Sequence, residues 1–288
     1  MDKAKHLIND FVEERLQGDL SKLACFDFAQ LRGDRKYGAC DRKSFDCDST
    51  HLANAIYLLV FEDVWSDLSR ESLENGLYRG DTINTFNTTF GKHTAMGGFA
   101  GLSRFELSEE LQQRVWKFHS QYHTIGNFMV LPNARVGKYS LNTFRGTYPQ
   151  WRDYIDKFVE ALHQQLTESQ NCDNETFCQL MAANAKDFEP YRSQAGFELL
   201  MGKLLLDDCI NNNGKPKQLI DSVYHWDKSL ARDIYLKHID QYLDFSESFI
   251  EKRGARVVEI LATKLGQSIT YSRSRLLKHR SLLFLLSL

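Results

Sequence analysis

The chain has 288 residues, of which 42% are hydrophobic, so it can bury the core of one large domain or of two small ones. Lysine and arginine total 36 against 38 aspartate and glutamate, a formal net charge of −2, which does not support a nucleic-acid protein that works through bulk positive charge. With 4 prolines and 17 glycines, the composition excludes a collagenous or generally disordered chain.

The N-terminus and the cysteines bear on the cellular compartment. Residues 1–17 are charged throughout and lack the apolar segment of a secretory signal. No stretch approaches the roughly 18 apolar residues of a membrane span. The 6 cysteines show no C-x-x-C spacing, which favours buried free thiols over disulfides or a zinc site. These features predict a cytoplasmic protein with no membrane segment.

The first part of the chain predicts two helices with irregular structure between them. A helix is predicted over residues 3–17 from apolar residues at helical spacing, with Gly18 as its stop. Residues 20–48 lack this periodicity and are predicted to be irregular. Ser49 is the predicted N-cap of a second helix, which runs to about Trp65.

Between residues 75 and 146 glycine, asparagine and threonine become frequent. One helix is predicted here, from Ser108 to about Phe118. The short apolar run 124–131 is closed by Pro132 and predicts a buried strand.

From Pro149 onward helical periodicity dominates, with three shorter helices followed by a long one from about Ser229 to Leu265, in which Gly254 marks a predicted kink. The predicted fold class is therefore mainly α with a small β element (α+β), a single compact body of helices around a short strand region.

One globular domain is predicted over residues 1–265, and a tail follows it over 266–288. A subdivision near residue 148 would separate a motif-dense part, 46–148, from a helical part, 149–265.

Four blocks carry the residues most suited to chemistry: Tyr78–Phe86, His123–Phe128, Leu131–Asn133 and Ser140–Gly146. Glycine in these blocks lets backbone approach a ligand, asparagine offers hydrogen-bond donors and acceptors, and arginine offers a planar fork suited to phosphate. The blocks predict a pocket for an anionic or nucleotide-like ligand. In it Asp81 or His123 would move a proton. The predicted ligand-binding residues are Arg79, Asn84, Asn127, Asn142 and Arg145.

A structural interpretation of the same blocks stays open. Asp81 would then cap a helix, Arg79 and Arg145 would form ion pairs, and the asparagines would satisfy the backbone of turns. His119 and His123 stand four residues apart, yet no third ligand is evident, so no metal is assigned and the cofactor is unknown.

The order of the blocks resembles a family of uncharacterised bacterial proteins. Its signature is an aspartate-serine segment before a helix, a glycine-aspartate block, a T-I-G strand closed by proline, and an asparagine shortly before R-G. The matching segments are Asp46–Ser49, Tyr78–Asp81, Thr124–Pro132 and Asn142–Gly146. The resemblance covers about residues 46–165 and implies one body, with no reaction attached.

The segment from Gly126 to Asn133 is also similar to the G-N-L-T-L-L segment of HNH-type nuclease domains in modification-dependent restriction systems. That similarity implies a metal-dependent nuclease in which a histidine activates water. Those domains carry an Asp-His pair upstream, whereas Tyr122 precedes His123 in this chain.

Three hypotheses of function follow. The first is a protein that binds or acts on a small phosphate- or nucleotide-containing ligand. The second is a non-enzymatic interaction protein of a defence or accessory system, whose leucine-rich tail, Leu282–Leu286, would contact a protein partner. The third is the HNH-like nuclease. The sequence leaves open whether the protein is an enzyme, and it does not identify a partner.

Overall fold

The structure is a computed structural model that describes residues 1–38, 45–83, 107–147, 155–168, 174–219 and 232–269. Helices make up most of these residues, which confirms the mainly α fold class. No helix in these ranges is long and apolar enough to cross a membrane. The predicted binding residue Asn84 and most of the predicted tail, 270–288, lie outside them.

Helix α1 (Asp2–Leu16) buries the apolar face that its periodicity predicted, and it packs against α2 (His51–Val60). At its C-terminus Gln17 and Gly18 adopt positive φ, and the Gly18 N–H donates to the Val12 carbonyl at 3.0 Å. Two 3-10 turns follow, Leu20–Cys25 and Phe28–Leu31, and the side chains of Asp19 and Asp27 cap them.

The predicted cap of α2 was one residue early. Ser49 belongs to a 3-10 turn, Cys47–Ser49, and its hydroxyl donates to the Asp46 carbonyl. Thr50 is the cap instead, because its Oγ1 accepts a hydrogen bond from the Ala53 N–H at 3.1 Å. The helix ends at Val60 rather than near residue 65.

The remaining helices are α3 (Arg70–Glu74), α4 (Glu109–Gln121), α5 (Leu141–Thr147), α6 (Ile155–Thr167), α7 (Glu175–Ala183), α8 (Ala185–Phe188), α9 (Gln194–Lys203) and α10 (Arg232–Leu265). Helix α6 packs on α9 and α5 packs on α7. Short 3-10 turns follow α8, at Glu189–Tyr191, and α9, at Asp207–Cys209.

Helix α10 is the element around which the described body is arranged. Its 34 residues correspond to a length of about 50 Å. It packs against α2, α4 and the 3-10 turn at Leu20–Cys25. A row of ion pairs joins it to α4, in which Arg114 contacts Asp240 and Asp244, and Lys117 contacts Glu247. This helix places α4, and the segment that follows α4, against the N-terminal helices.

The buried strand predicted at 124–131 does not form as a regular strand. Residues 124–127 make turns, and beyond them only isolated antiparallel bridges join Phe128 to Asp81 and Pro132 to Tyr78. Side chains from other parts of the chain, Trp65 and Arg253, donate to carbonyls that a strand ladder would otherwise satisfy.

The cysteines follow the predicted pattern in part. Cys47 and Cys209 are buried free thiols, and Cys25 is exposed at the surface. Cys178 is disulfide-bonded, which corrects the expectation of a free thiol at that position.

Candidate functional site

The loop from Tyr78 to Ile83 is held against residues 127–131, so two of the predicted blocks lie together. The Arg79 N–H donates to the Leu131 carbonyl at 3.0 Å, and the Met129 N–H donates to the Gly80 carbonyl at 2.7 Å. The Thr82 N–H donates to the carbonyl of Asn127 at 2.6 Å. This backbone frame fixes the position of Asp81 between them.

Asn127 is fully buried, and both the nitrogen and the oxygen of its side-chain amide are hydrogen-bonded within the protein. Its Nδ2 donates to the carbonyls of Ile83 and Tyr122, at 2.7 and 2.8 Å. Its Oδ1 accepts from the Thr82 hydroxyl at 2.8 Å and from the Ile83 N–H at 2.7 Å. The geometry therefore favours the structural interpretation of Asn127 over the predicted ligand-binding role.

Arg145 and Asn142, on α5, hold the same loop from the other side. The Arg145 guanidinium is fully buried and donates to the backbone carbonyls of Asp81 and Thr82. It also donates to Asn142 Oδ1 at 3.0 Å, which in turn accepts from the Asp81 N–H at 3.3 Å. Both side chains shape the loop around Asp81, and their predicted contact with a ligand gains no support from these bonds.

A second buried arginine, Arg253 on α10, holds the turn at residues 126–128. Its Nη1 donates to the carbonyls of Gly126 and Phe128, at 2.8 and 2.5 Å. Its Nη2 donates to the Leu204 carbonyl at 3.0 Å. Burial lowers its pKa to about 9, and the nearby Tyr57 and Cys209 oppose that shift. Sequence reasoning missed Arg253, because a single arginine within a long helical pattern is expected at the surface.

The acidic cluster, defined as Asp46, Asp48 and Asp81, lies where the segment before α2 meets the loop after α3. Burial and the negative charge of Asp46 raise the pKa of the half-buried Asp81 to about 7, and the positive charge of Arg145 opposes this shift. Asp48 is 3% exposed, and burial together with the negative charges of Asp81 and Asp46 holds its pKa well above the ordinary value. The cluster therefore retains a proton under conditions where isolated carboxyls are ionised.

Arg79 is the cation of the cluster. Its side chain is half-buried, and its charge lowers the pKa of Asp48 against the larger effect of burial. Within the part of the chain that the structure describes, its guanidinium makes no ion pair and no side-chain hydrogen bond. Arg79 thus keeps the guanidinium fork that the sequence analysis assigned to an anion.

His123 lies at the edge of the cluster rather than beside Asp81. Its Nδ1 is 3.9 Å from Asp27 Oδ1, and its side chain is 28% exposed. Burial lowers its pKa, while the charges of Asp27 and Asp46 oppose that shift. The lowered pKa favours the neutral imidazole, which can accept a proton.

Tyr57, on α2, completes the surroundings of the cluster and was not predicted, because a tyrosine on the apolar face of a helix is typical of core. Its side chain is fully buried. Burial and the charges of Asp48, Asp81 and Asp46 raise its pKa, and Arg253 opposes this. The Tyr57 hydroxyl is therefore influenced by the carboxyls and by the buried Arg253 guanidinium, with opposite effects on its pKa.

The described residues form no group of metal ligands, and two clefts of the surface lie away from the predicted site. Across the described ranges, no three His, Cys, Asp or Glu side chains are grouped as metal ligands would be. Two surface clefts, of about 680 and 550 Å³, lie along α10, and none of the predicted site residues that the structure describes lines either of them.

A family model described as a family of unknown function (DUF6994) matches residues 71–257 of the chain. That match includes Asp81, His123 and Arg253, but not Asp48 or Tyr57. Comparison with curated proteins found no match, and comparison with solved structures found none.

Proposed function

The chain belongs to DUF6994, a family of unknown function, and we propose that this protein is an enzyme that binds a small phosphate-bearing molecule and transfers a proton through Asp81. The observation that carries the proposal is the Asp81 carboxyl, whose pKa is raised to about 7. A proton-transfer group works best when its pKa lies near the pH at which the enzyme operates. Shifts of this size occur most often at functional sites.

The surroundings of Asp81 suit a reacting group better than a structural one. Its main chain is held on both sides. The Asp81 N–H donates to Asn142 Oδ1, and the Asp81 carbonyl accepts from Arg145. A backbone bridge joins Asp81 to Phe128, and the Met129 N–H donates to the carbonyl of the preceding residue, Gly80. The Asp81 carboxyl forms no ion pair within the described ranges, although half-buried. A carboxyl that served only to cap or to pair would have its pKa lowered rather than raised.

Arg79 is the group that we assign to the anion of the substrate. A guanidinium binds phosphate oxygens through two parallel hydrogen bonds, and this one makes no other bond in the described structure. Ionised Asp81 would repel a phosphate, whereas its protonated form would not. A proton held by the acidic cluster therefore lets an anion approach Arg79 and then becomes available for transfer.

The binding step is tested by thermal unfolding of the wild type, Arg79→Ala and Arg70→Ala in the presence of inorganic phosphate, ribose 5-phosphate or uridine 5′-monophosphate. Arg70 is the matched control, since it is an exposed arginine paired with Glu74. A ligand at 100 times its dissociation constant adds about 2.7 kcal/mol to the free energy of unfolding. We expect that gain in the wild type and in Arg70→Ala, and its loss in Arg79→Ala. Equal gains in all three proteins would remove Arg79 from the site, and no gain with any probe would sink the proposal.

Asp81→Asn tests the proton that Asp81 carries. Folding raises the pKa of Asp81 from its ordinary value of 3.8 to about 7. Between about pH 4 and pH 7, therefore, the folded protein keeps a proton that the unfolded chain has released. The wild type should therefore lose stability relative to Asp81→Asn as the pH rises from about 4 to about 7, by on the order of 1–2 kcal/mol for a half-buried group. Chemical denaturation at several pH values measures the difference, and parallel curves for the two proteins would contradict the raised pKa.

The other hypotheses about function remain predictions. His123, with Asp27 beside it, is the second candidate for proton transfer, and the pH profile of a His123→Gln variant tests it. The interaction and nuclease hypotheses gain nothing from the described residues, and the leucine-rich end of the tail lies outside them. The cytoplasmic location and the bacterial origin also belong to this proposal.

A further inference from the structure

Among the buried side-chain polar atoms that have no hydrogen-bond partner within the described structure, two belong to residues on α2 or just before it. They are Oδ1 of Asp48 and Oη of Tyr57. Asp48 is 3% exposed and Tyr57 is fully buried. Asp48 lies in the 3-10 turn that packs against α2, the helix that carries Tyr57, and the charges of Asp48 and Asp81 both act on Tyr57. The unpartnered atoms therefore belong to one neighbourhood.

Such an arrangement is costly unless something binds there. A buried polar atom without a partner forfeits its hydration and gains nothing in return, so nearly all buried polar groups in proteins are paired. Two other buried polar side chains of the site follow that rule, since Asn127 and Arg253 bind backbone carbonyls. Asp48 and Tyr57 are exceptions beside the residue to which we assign proton transfer.

We propose that Asp48 and Tyr57 form a subsite for an uncharged hydrogen-bonding group of the same ligand whose phosphate binds Arg79. The proposal rests on the proposed function and deepens it, because it names the second end of the substrate. A carboxylic acid and a phenol each donate one hydrogen bond and accept others. The group that they recognise carries a donor and an acceptor side by side, as a sugar hydroxyl or the amide edge of a base does.

The charges around the subsite favour a neutral group. A carboxylate of the ligand would face Asp48, Asp81 and Asp46, and an ammonium group would face the buried Arg253. Burial makes any unpaired charge there expensive. A hydroxyl or an amide satisfies both orphan atoms without adding charge.

The first test needs no ligand and compares Tyr57→Phe with Tyr191→Phe. Tyr191 is also buried, at 3% exposed, but its hydroxyl donates to the Val64 carbonyl. Loss of that bond should lower Tm by about 2–4 °C in a protein of this size. Removal of an unpartnered hydroxyl should leave Tm unchanged or raise it. A fall in Tm for Tyr57→Phe equal to that for Tyr191→Phe would show that the hydroxyl is already paired, for example with a structural water, and would overturn the subsite.

The second test measures affinity for inorganic phosphate, ribose 5-phosphate and uridine 5′-monophosphate. In the wild type we expect at least one of the two larger probes to bind about tenfold or more tightly than phosphate. Tyr57→Phe should lose that advantage and keep its affinity for phosphate, whereas Tyr191→Phe should keep both. If phosphate binds through Arg79 but neither larger probe gains affinity, the subsite fails while the proposed function stands. If no probe binds the wild type, the proposed function fails and this subsite fails with it.

Discussion

Replacement of Arg253 by alanine should lower the free energy of unfolding by about 3–5 kcal/mol, because it leaves the carbonyls of Gly126, Phe128 and Leu204 buried without a donor. The variant also loses packing against the Phe61 ring, whose centroid is 5.7 Å from the guanidinium carbon. Relief of the buried charge recovers part of this loss. Three unpaired carbonyls outweigh that relief. Urea denaturation measures the change.

Arg256→Ala is the control for this prediction, since Arg256 lies one turn further along the same helix. Its ion pair with Asp207, at 2.5 Å, joins side chains that are 37% and 45% exposed. Pairs of this kind contribute about 0–1 kcal/mol. Similar losses for the two variants would mean that the bonds of Arg253 do not hold the turn. We also expect Arg253→Ala to move the pKa of Asp81 toward its ordinary value, since the turn that supports the Asp81 loop would relax.

The helical part of the fold could be predicted from the sequence, because apolar periodicity is a local signal. The helix that ends at Gly18, the helix that starts after Ser108 and the long helix that ends at Leu265 all form as predicted. The cap at Thr50 was missed, since serine and threonine stand side by side there and both are good caps. Membership of an uncharacterised family was also predicted and is confirmed.

The strand prediction was wrong for a reason that no local pattern contains. An apolar run closed by proline predicts a strand because strand backbone normally bonds to a neighbouring strand. In this protein Arg253, from a helix more than 100 residues further along the chain, donates to the carbonyls of Gly126 and Phe128, and the Trp65 indole donates to the carbonyl of Val130. Gly254 was predicted as a kink, whereas the structure shows it packed against Gly126. The missing side chain of Gly126 permits this approach, because a Cβ there would lie 2.8 Å from the Gly254 nitrogen.

The candidate site was predicted in its location and only partly in its members. The blocks that contain Arg79, Asp81 and Asn127 do lie together. The sequence could not divide them into groups that hold the loop and groups that face a ligand, because Asn and Arg serve both purposes. Asp48 stood within the motif segment without a role, and Tyr57 had no polar pattern around it. Their significance depends on burial and on the absence of partners, which only three-dimensional structure reveals.

The difference between residues that hold the Asp81 loop and residues that face a ligand predicts a trade-off between stability and function. Groups such as Asn127 and Arg253 are fully bonded, and changes to them should cost stability. Asp81 has a raised pKa and Tyr57 has a hydroxyl without a partner within the described ranges. Neutral replacements of these two residues should therefore lower function while they preserve or raise stability. Variants of the two kinds therefore separate the frame of the site from the groups that act in it.

Asn127→Asp should be the most damaging isosteric change in the frame. Its two donated bonds, to the carbonyls of Ile83 and Tyr122, would be replaced by contacts between a carboxylate oxygen and carbonyl oxygens. Since the site is fully buried, the free energy of unfolding should fall by about 3–5 kcal/mol at neutral pH. Burial raises the pKa of the new carboxyl in the folded state, so the penalty grows as the pH rises above about 4 and shrinks in acid, where the protonated group donates one bond again.

Asn133→Asp is the matched control for that change. Asn133 is half-buried, and its Nδ2 makes one bond, to the Gly76 carbonyl at 2.8 Å. Its replacement should cost about 1 kcal/mol with little dependence on pH. Denaturation of both variants at pH 4 and pH 7 distinguishes them. If Asn127→Asp lost no more stability at pH 7 than at pH 4, the amide of Asn127 would not be the donor that joins the Asp81 loop to the end of α4. Other groups would then have to hold the loop on which the proposed proton transfer depends.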